Sequence, residues 1–221
     1  MSQTERMTLL RVQRISRSKF PSIYQVVADH CGQPLVIEKT TYTPKQKFKA
    51  AHDALIFPAG VSCPALATRG RLWPAVEAAE SRSDANLATH WKAPIPNELV
   101  GPAATALAIE FGQYLADYLA SIVHLVVLPA TSAQPAVMQA LCTTREAGPD
   151  GFGLKNRFNL SVAQRRKRGF PISPRSELTD LRAAWAKISA DHLGQRNTSL
   201  TAVSWGQGSG AYQSRQNGHQ L

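Results

Sequence analysis

The sequence predicts a single domain that mixes short strands with helices. Its 221 residues, of which 43% are apolar and 18% charged, are enough for one well-filled core and too few for two. Short apolar runs rich in β-branched residues alternate with segments in which apolar residues recur every three or four positions. That alternation is compatible with the α+β class, in which helices pack on a sheet.

The first third of the chain contains two predicted strands and one helix. After a polar start at residues 1–6, Met7–Ile15 alternates apolar and polar residues well enough for a half-buried strand. Residues 22–30 place Ile23, Val26 and Val27 on one face of a short helix that Gly32 ends. Ala54–Phe57 is a short apolar run before a proline, which predicts the second strand.

The middle of the chain is predicted to be mainly helical. Residues 67–91 are predicted to be mainly helical, with Pro74 in the first turn, where a missing N–H costs little. Pro94 and Pro96 then mark an extended segment. The clearest helix follows Pro102, and its core-facing stripe consists of Leu107, Phe111, Leu115, Tyr118 and Ile122.

The last third is predicted to hold two neighbouring strands and a final helix. Residues 123–129 read as a central strand, and Ala140–Thr144 as the next one, before a turn at residues 148–151. The final helix begins at Ser176 and is expected to end near Gly194. Residues 196–221 are rich in Gln, Ser, Gly and Asn. They are therefore predicted to form a flexible polar tail beyond a domain of residues 1–195.

The charge of the chain favours a polyanionic partner. A net charge of +10 and a pI near 9.9 suit a phosphate backbone, although basic proteins also bind membranes and acidic proteins. Ser16–Lys19 brings two cations beside two hydroxyls, which suits either a phosphate clamp or a solvated loop. The segment 155–175 carries seven cations and no acidic residue, with phenylalanines interspersed as stacking faces: Lys155, Arg157, Arg165, Arg166, Lys167, Arg168 and Arg175.

Cysteine usage and hydropathy point to a soluble protein of the cytoplasm. Cys31, Cys63 and Cys142 are odd in number and lack a CxxC spacing, so a disulfide framework and a zinc ribbon are both disfavoured. The longest apolar run, residues 122–129, is too short to cross a bilayer, and the polar start is no signal peptide. No membrane partner is expected.

Five stretches carry a family resemblance, and they occur in order between about residue 10 and about residue 195. The most informative is the strand that ends in Thr143-Thr144-Arg145 and is followed by Gly151-Phe152-Gly153. With it the chain resembles the MobA/MobL family of plasmid mobilisation relaxases, which nick one DNA strand and lead it into a recipient cell. The other four stretches are Ile15–Ser18, Ala54–Gly60, Leu72–Glu80 and Trp91–Leu99.

The resemblance implies an α+β fold, an antiparallel sheet of about five strands backed by helices in a relaxase-like palm. It also implies the partner and the activity: binding to the plasmid origin of transfer and site- and strand-specific nicking. Other relaxosome or coupling proteins are further expected partners. The candidate DNA-binding residues are Arg17, Lys19, Arg145, Lys155, Arg165, Arg166, Lys167 and Arg168.

The catalytic residues that the family requires are not at their expected positions. The nucleophilic tyrosine would fall at Asp29, and an aspartate cannot form the phosphotyrosine link. Tyr24, more than one helical turn earlier, is the fallback nucleophile, or else a packing tyrosine. The three metal-binding histidines would fall at Leu128, Val137 and Gln139. A Mg or Mn ion, expected only if the chain is active, would then have His124 as its lone candidate ligand, and a lone histidine on an apolar strand more often belongs to the core.

Three explanations stay open for these departures. The chain could be a relative that keeps DNA binding without nicking, it could use another chemistry, or local frame errors could affect its recorded sequence. The functional alternatives follow from them. One is a non-catalytic DNA-binding accessory component of a relaxosome, and the other is a basic interaction protein that docks on an acidic partner.

Overall fold

The centre of the fold is a five-stranded, fully antiparallel sheet. The computed structural model describes residues 10–207, with side chains to residue 195. The strand order is β1-β5-β7-β6-β4. This architecture confirms the expected α+β class with about five antiparallel strands. The strands are β1 (Arg11–Ser16), β4 (His52–Ile56), β5 (Asn86–Pro94), β6 (Val123–Leu128) and β7 (Val137–Thr143).

Two small hairpins and five helices complete the described part of the chain. The hairpins pair β2 (Leu35–Ile37) with β3 (Thr40–Tyr42), and β8 (Arg145–Gly148) with β9 (Gly151–Lys155). Single 3-10 turns occupy Pro64–Leu66 and Arg157–Asn159. The helices are α1 (Ile23–Cys31), α2 (Arg69–Ala79), α3 (Pro102–Leu119), α4 (Val162–Lys167) and α5 (Arg175–Gln207).

The sheet separates two apolar clusters. On one face α3 and α5 pack on inward side chains of all the central strands, and Phe111 of α3 meets Trp185 of α5 edge to face at 5.1 Å. On the other face α1 and α2 contribute Val27 and Trp73 to a smaller cluster. The second face is covered by helices over only part of its length, and its uncovered part forms the site described below.

Helix α1 is fixed at both ends by local chemistry. The Ser22 hydroxyl accepts a hydrogen bond from the Tyr24 amide, and the Ile23 amide donates to the Glu77 carboxylate of α2 at 2.7 Å. At the other end Gly32 adopts a φ of +64°, and a Cβ there would lie 2.6 Å from the Phe48 ring. Only glycine meets both demands, so Gly32 ends the helix as expected.

Strand β5 corrects the prediction that residues 67–91 are mainly helical. Helix α2 begins at Arg69, so Pro74 lies beyond its first turn, and the helix ends at Ala79. Strand β5 then lies between β1 and β7. A strand covered on both faces lacks the period-two alternation of a half-exposed strand, which is why its residues read as a helix.

The last helix also departs from the prediction. Helix α5 does not end near Gly194 but continues to Gln207. The predicted boundary at residue 195 is therefore not a break in the backbone, and the rest of the predicted tail, residues 208–221, lies outside the described residues. Among the described helices none is long and apolar enough to span a membrane.

Candidate nucleic-acid interface

A cavity of about 650 Å³ opens between α1 and the sheet. Its floor comes from three strands, with Gln13 from β1, His90 from β5 and Gln139 from β7. Its other wall comes from α1 and the segment before it, and Lys45 closes one side. We call this cavity the α1 pocket.

The pocket floor belongs to one row of residues that crosses the whole sheet. Gln13 pairs with His90, His90 with Leu141, Leu141 with His124, and His124 with Leu55. Paired residues of neighbouring strands point to the same face. The fold thereby brings the sequence-distant His90 and His124 onto one surface with Gln13.

A third histidine approaches this row from the helix. His30 of α1 lies edge-on to both strand histidines, with ring centroids 4.8 Å from His124 and 5.4 Å from His90. Its Nε2 atom is 3.0 Å from the carbonyl oxygen of His124, which makes Nε2–H the donor. Sequence analysis did not single out His30 or His90, because their proximity depends on strand register and helix placement.

Burial keeps these three histidines neutral near pH 7. Burial, with a smaller contribution from the Lys92 charge, lowers the pKa of His90 to about 4, although a hydrogen bond with the Gln139 side chain opposes the shift. Burial and the other two histidines also hold the pKa of His30 well below its usual value. Burial lowers the pKa of His124, although the Asp53 carboxylate opposes that shift. A neutral imidazole retains one nitrogen lone pair for a ligand.

The candidate metal ligand His124 is engaged inside the protein. Its side chain is fully buried, and Nε2 lies 2.9 Å from the Asp53 carboxylate, which also accepts from Arg69 at 3.0 Å. Burial alone would raise the pKa of Asp53, but the hydrogen bond with His124 and the nearby Arg69 guanidinium lower it. His124 Nδ1 is buried without a partner and does not line the α1 pocket.

The donor set does not fit a divalent cation. Leu128, Val137 and Gln139 stand where the resemblance expects histidines, and two of these three have no donor side chain. Within residues 10–195 no group of three histidine, cysteine, aspartate or glutamate side chains is arranged to hold a metal ion. The predicted His124 ligand thus has no partners with which to form a metal site.

Asp29 occupies the pocket wall where the family has its nucleophile. Its Oδ1 atom accepts hydrogen bonds from the Lys45 amide at 2.8 Å and from the Gln25 side chain at 3.1 Å. Its Oδ2 atom has one contact, 3.9 Å to the exposed Lys45 ammonium. The carboxylate is therefore held in place with one oxygen left to accept a ligand's hydrogen bond.

Tyr24, the fallback nucleophile, does not line the α1 pocket. Its ring packs against Tyr42 with centroids 5.2 Å apart. Burial, followed by the Glu77 carboxylate, raises the pKa of Tyr24. A raised pKa disfavours the phenolate that attack on phosphorus requires. This environment suits the packing role that was its alternative interpretation.

Four of the eight candidate DNA-binding cations are occupied by internal partners. Arg17 pairs with Glu77 at 2.6 Å. Arg145 and Lys155 both bind the buried Glu80, at 2.8 and 2.6 Å. Arg165 is 1% exposed and pairs with the buried Glu177. These four side chains hold elements together, so they are poor candidates for DNA contact.

The other four candidates lie at the surface in two places. Lys19 lines the mouth of the α1 pocket. Arg166 and Lys167 are exposed on α4, and Arg168 is partly exposed beside Glu146 at 3.3 Å. The two groups of cations lie on different elements of the fold.

Two further cations, missed by sequence analysis, lie on the uncovered sheet face. Arg11 of β1 and Lys92 of β5 are register partners, and each lies two residues from a pocket-floor residue on its own strand. Both are exposed, and no acidic side chain among the described residues forms an ion pair with either. Their sequence signal is the period of two that links Arg11 to Gln13 and His90 to Lys92.

Comparisons with known proteins agree with this architecture. The family model described as MobA/MobL family matches residues 33–202, more than half of the chain. A solved structure from work on the molecular basis of vancomycin resistance transfer in Staphylococcus aureus superposes with a TM-score of 0.72. It is 19% identical, and the match covers 86% of this chain and 94% of that one. No curated protein sequence matches significantly. The chain belongs to the MobA/MobL family of plasmid mobilisation relaxases.

Proposed function

We propose that this chain takes part in plasmid mobilisation by binding single-stranded DNA of the origin of transfer, and that it holds this strand without cutting it. The strand lies on the uncovered sheet face and enters the α1 pocket. The role belongs to the cytoplasm, in a complex that includes other relaxosome proteins. It corresponds to a non-catalytic DNA-binding component of the relaxosome.

The pairing of Arg11 with Lys92 is the observation that carries the DNA-binding part. Like charges directly opposite each other on neighbouring strands repel and destabilise a sheet. A polyanion that lies across the pair removes this repulsion and releases its own counterions. Lys19 and Lys45 at the pocket mouth extend the same charge. The four cations surround a cavity that has neutral polar side chains on its floor.

The shape of the site favours a single strand. The α1 pocket is a recess between a helix and a sheet floor, which one unpaired strand can enter and a closed duplex cannot. Phe20 at its edge offers an aromatic face of the kind on which unpaired bases stack.

The proposal excludes cutting because the reacting groups lie in the wrong places. An aspartate stands at the nucleophile's position, and a carboxylate there repels the scissile phosphate. Tyr24 packs outside the pocket, and within residues 10–195 no group of three histidine, cysteine or acidic side chains is placed to hold a metal ion. Binding without transesterification is what the remaining side chains support.

Salt-dependent binding tests the DNA-binding part. Overlapping single-stranded oligonucleotides from the DNA that flanks the encoding gene are titrated by fluorescence anisotropy at increasing NaCl. Four phosphate contacts predict a slope of log affinity against log salt of about −3. Replacing Lys19 and Lys92 by glutamine should reduce this slope by about 1.4. The matched control is Lys187→Gln, an exposed cation on the opposite face of the sheet, which should leave the slope unchanged.

A nicking assay tests the second part. Supercoiled plasmid that carries the same flanking DNA is incubated with the protein and Mg²⁺ or Mn²⁺, then treated with protease. The plasmid should stay supercoiled, with no protein linked to a 5′ end. A covalent adduct that disappears in Tyr24→Phe would contradict the proposal and identify Tyr24 as a relaxase nucleophile.

A further inference from the structure

We infer that the α1 pocket binds one unpaired nucleobase and prefers cytosine to thymine through the Oδ2 carboxylate oxygen of Asp29. This inference rests on the proposed binding of single-stranded DNA and names the ligand of that same site.

The walls of the pocket suit a flat, apolar-faced ligand. Ile15, Leu141 and Val26 contribute aliphatic surface, and Phe20 contributes a ring. Among the residues that line the pocket, the cations are Lys19 and Lys45. A base that lies inside the pocket, with its flanking phosphates near Lys19 and Lys45, matches this division between an apolar interior and a charged mouth.

Apart from Asp29, two polar side chains of the pocket floor are uncharged hydrogen-bonding groups with spare capacity. The Gln13 side chain makes no hydrogen bond to the described residues. Buried His90 Nε2 also lacks a hydrogen-bond partner there. Gln13 and His90 both lie on the pocket floor, and they are register partners on neighbouring strands. Amide and imidazole groups of this kind read the donor and acceptor pattern of a base edge.

Asp29 is the residue that distinguishes cytosine from thymine. Its Oδ1 atom is saturated by the Lys45 amide and Gln25, which orient the carboxylate and leave Oδ2 as an acceptor. Cytosine carries an amino group at C4, which donates, whereas thymine carries a carbonyl oxygen there, which accepts. A carboxylate oxygen binds the first and repels the second. Asp29 is also a poor neighbour for a phosphate, so the base rather than the backbone occupies the interior.

The test compares two probes that differ in this group. Oligo-dC and oligo-dT of equal length carry the same number of phosphates, so the salt-dependent contribution is matched. Anisotropy titrations should show oligo-dC binding about tenfold more tightly, as expected for one good base contact. Asp29→Asn keeps an oxygen for the Lys45 amide and Gln25 and places an amide donor where Oδ2 stood. The preference should then disappear or reverse towards oligo-dT.

Asp84→Asn is the matched control, because Asp84 is an exposed acid that pairs with Arg82 outside the α1 pocket. It makes the same change of charge and should keep the preference for oligo-dC. Thermal unfolding of each variant establishes that it is folded. Equal affinity of the wild-type protein for both probes, with a steep salt dependence, would overturn the base pocket and leave the proposed DNA binding intact. Absence of salt-dependent binding to either probe and to the flanking-DNA oligonucleotides would overturn both.

Discussion

Arg165 and Glu177 face each other inside the protein at 2.5 Å, with side chains 1% and 0% exposed. The Arg165 guanidinium also donates to the backbone carbonyls of Arg157, Pro171 and Ser173. One side chain therefore ties α4, the loop after it and the start of α5 to the domain. A buried pair with this many hydrogen bonds is held in one geometry, and removal of one partner leaves an uncompensated charge.

Arg165→Ala should destabilise the protein by roughly 3–5 kcal/mol, because Glu177 would remain buried with only the more distant Arg157, 3.8 Å away, as a cationic partner. Arg166→Ala, next to it in sequence but exposed, should stay within about 0.5 kcal/mol of the wild type. Urea unfolding followed by circular dichroism measures both. If both substitutions change the free energy of unfolding by equal, small amounts, the Arg165–Glu177 pair does not stabilise the fold.

This pair also shows where sequence reasoning stops. Four consecutive cations read as one basic surface, but α4 turns by about 100° per residue and directs Arg165 inward. The acidic partner that makes burial possible comes from another helix. Charge in the sequence establishes how many cations exist, whereas the ion pairs formed on folding decide which of them remain available to DNA.

Glu80 has a similar structural role for the Thr143-Thr144-Arg145 motif, as a buried acid that binds several side chains. It is 5% exposed, accepts from Thr144 Oγ1 at 2.9 Å and pairs with Arg145 and Lys155. Glu80→Gln should destabilise the protein by roughly 2–4 kcal/mol, since two partly buried cations lose their counter-charge. Asp84→Asn, which breaks the exposed Arg82 pair, should change stability by less than about 0.5 kcal/mol. Thermal unfolding of both variants at low salt makes the comparison. A smaller effect of Glu80→Gln than of Asp84→Asn would contradict the motif's structural role.

The histidine cluster should make the protein acid-sensitive. Burial lowers the pKa values of His30, His90 and His124, so the unfolded chain binds protons first as the pH falls below about 6.5. Above about pH 7.5 the three contribute no pH dependence, since they are neutral in both states. Below 6.5 the free energy of unfolding should fall by about 1.4 kcal/mol per pH unit for each histidine that stays neutral in the folded state.

His90→Gln isolates one member of this cluster. The free energy of unfolding, measured with urea at pH 5, 6 and 7, should depend less steeply on pH in the variant than in the wild type. The difference in slope should correspond to about one proton, because the pKa of His90 is lowered to about 4 in the folded state. Unchanged slopes would mean that His90 takes up its proton over the same pH range in the folded and unfolded states, so that its pKa is not lowered by folding.

The fold was more accessible to sequence reasoning than the site. Amphipathic α3 and the apolar strand β6 have local patterns, and the structure confirms both elements. Ile122, predicted as the last member of the α3 stripe, instead lies beyond the helix and packs in the cluster on the other face of the sheet. The α1 pocket instead depends on pairing, since Gln13, His90 and Gln139 come from three strands, one of which has no alternating pattern. A register across the sheet cannot be read from any single segment.

Replacement of alanine by glycine should have opposite effects on stability at two positions, one at the end of α3 and one inside it. Ala120 caps the helix with a φ of +50°, a left-handed conformation that costs an L-residue about 1 kcal/mol. Ala120→Gly should therefore raise the free energy of unfolding by about 0.5–1 kcal/mol, as glycine is the usual residue at this position. Ala106→Gly, at an exposed position inside the same helix, should lower it by about 1 kcal/mol, because glycine there only adds freedom to the unfolded chain. Urea unfolding of both variants gives the two signs directly. If both variants lose stability, the left-handed cap carries no strain, and α3 ends at Ala120 because Ser121 and Ile122 are drawn into the sheet's hydrogen bonds with β7 and Arg145.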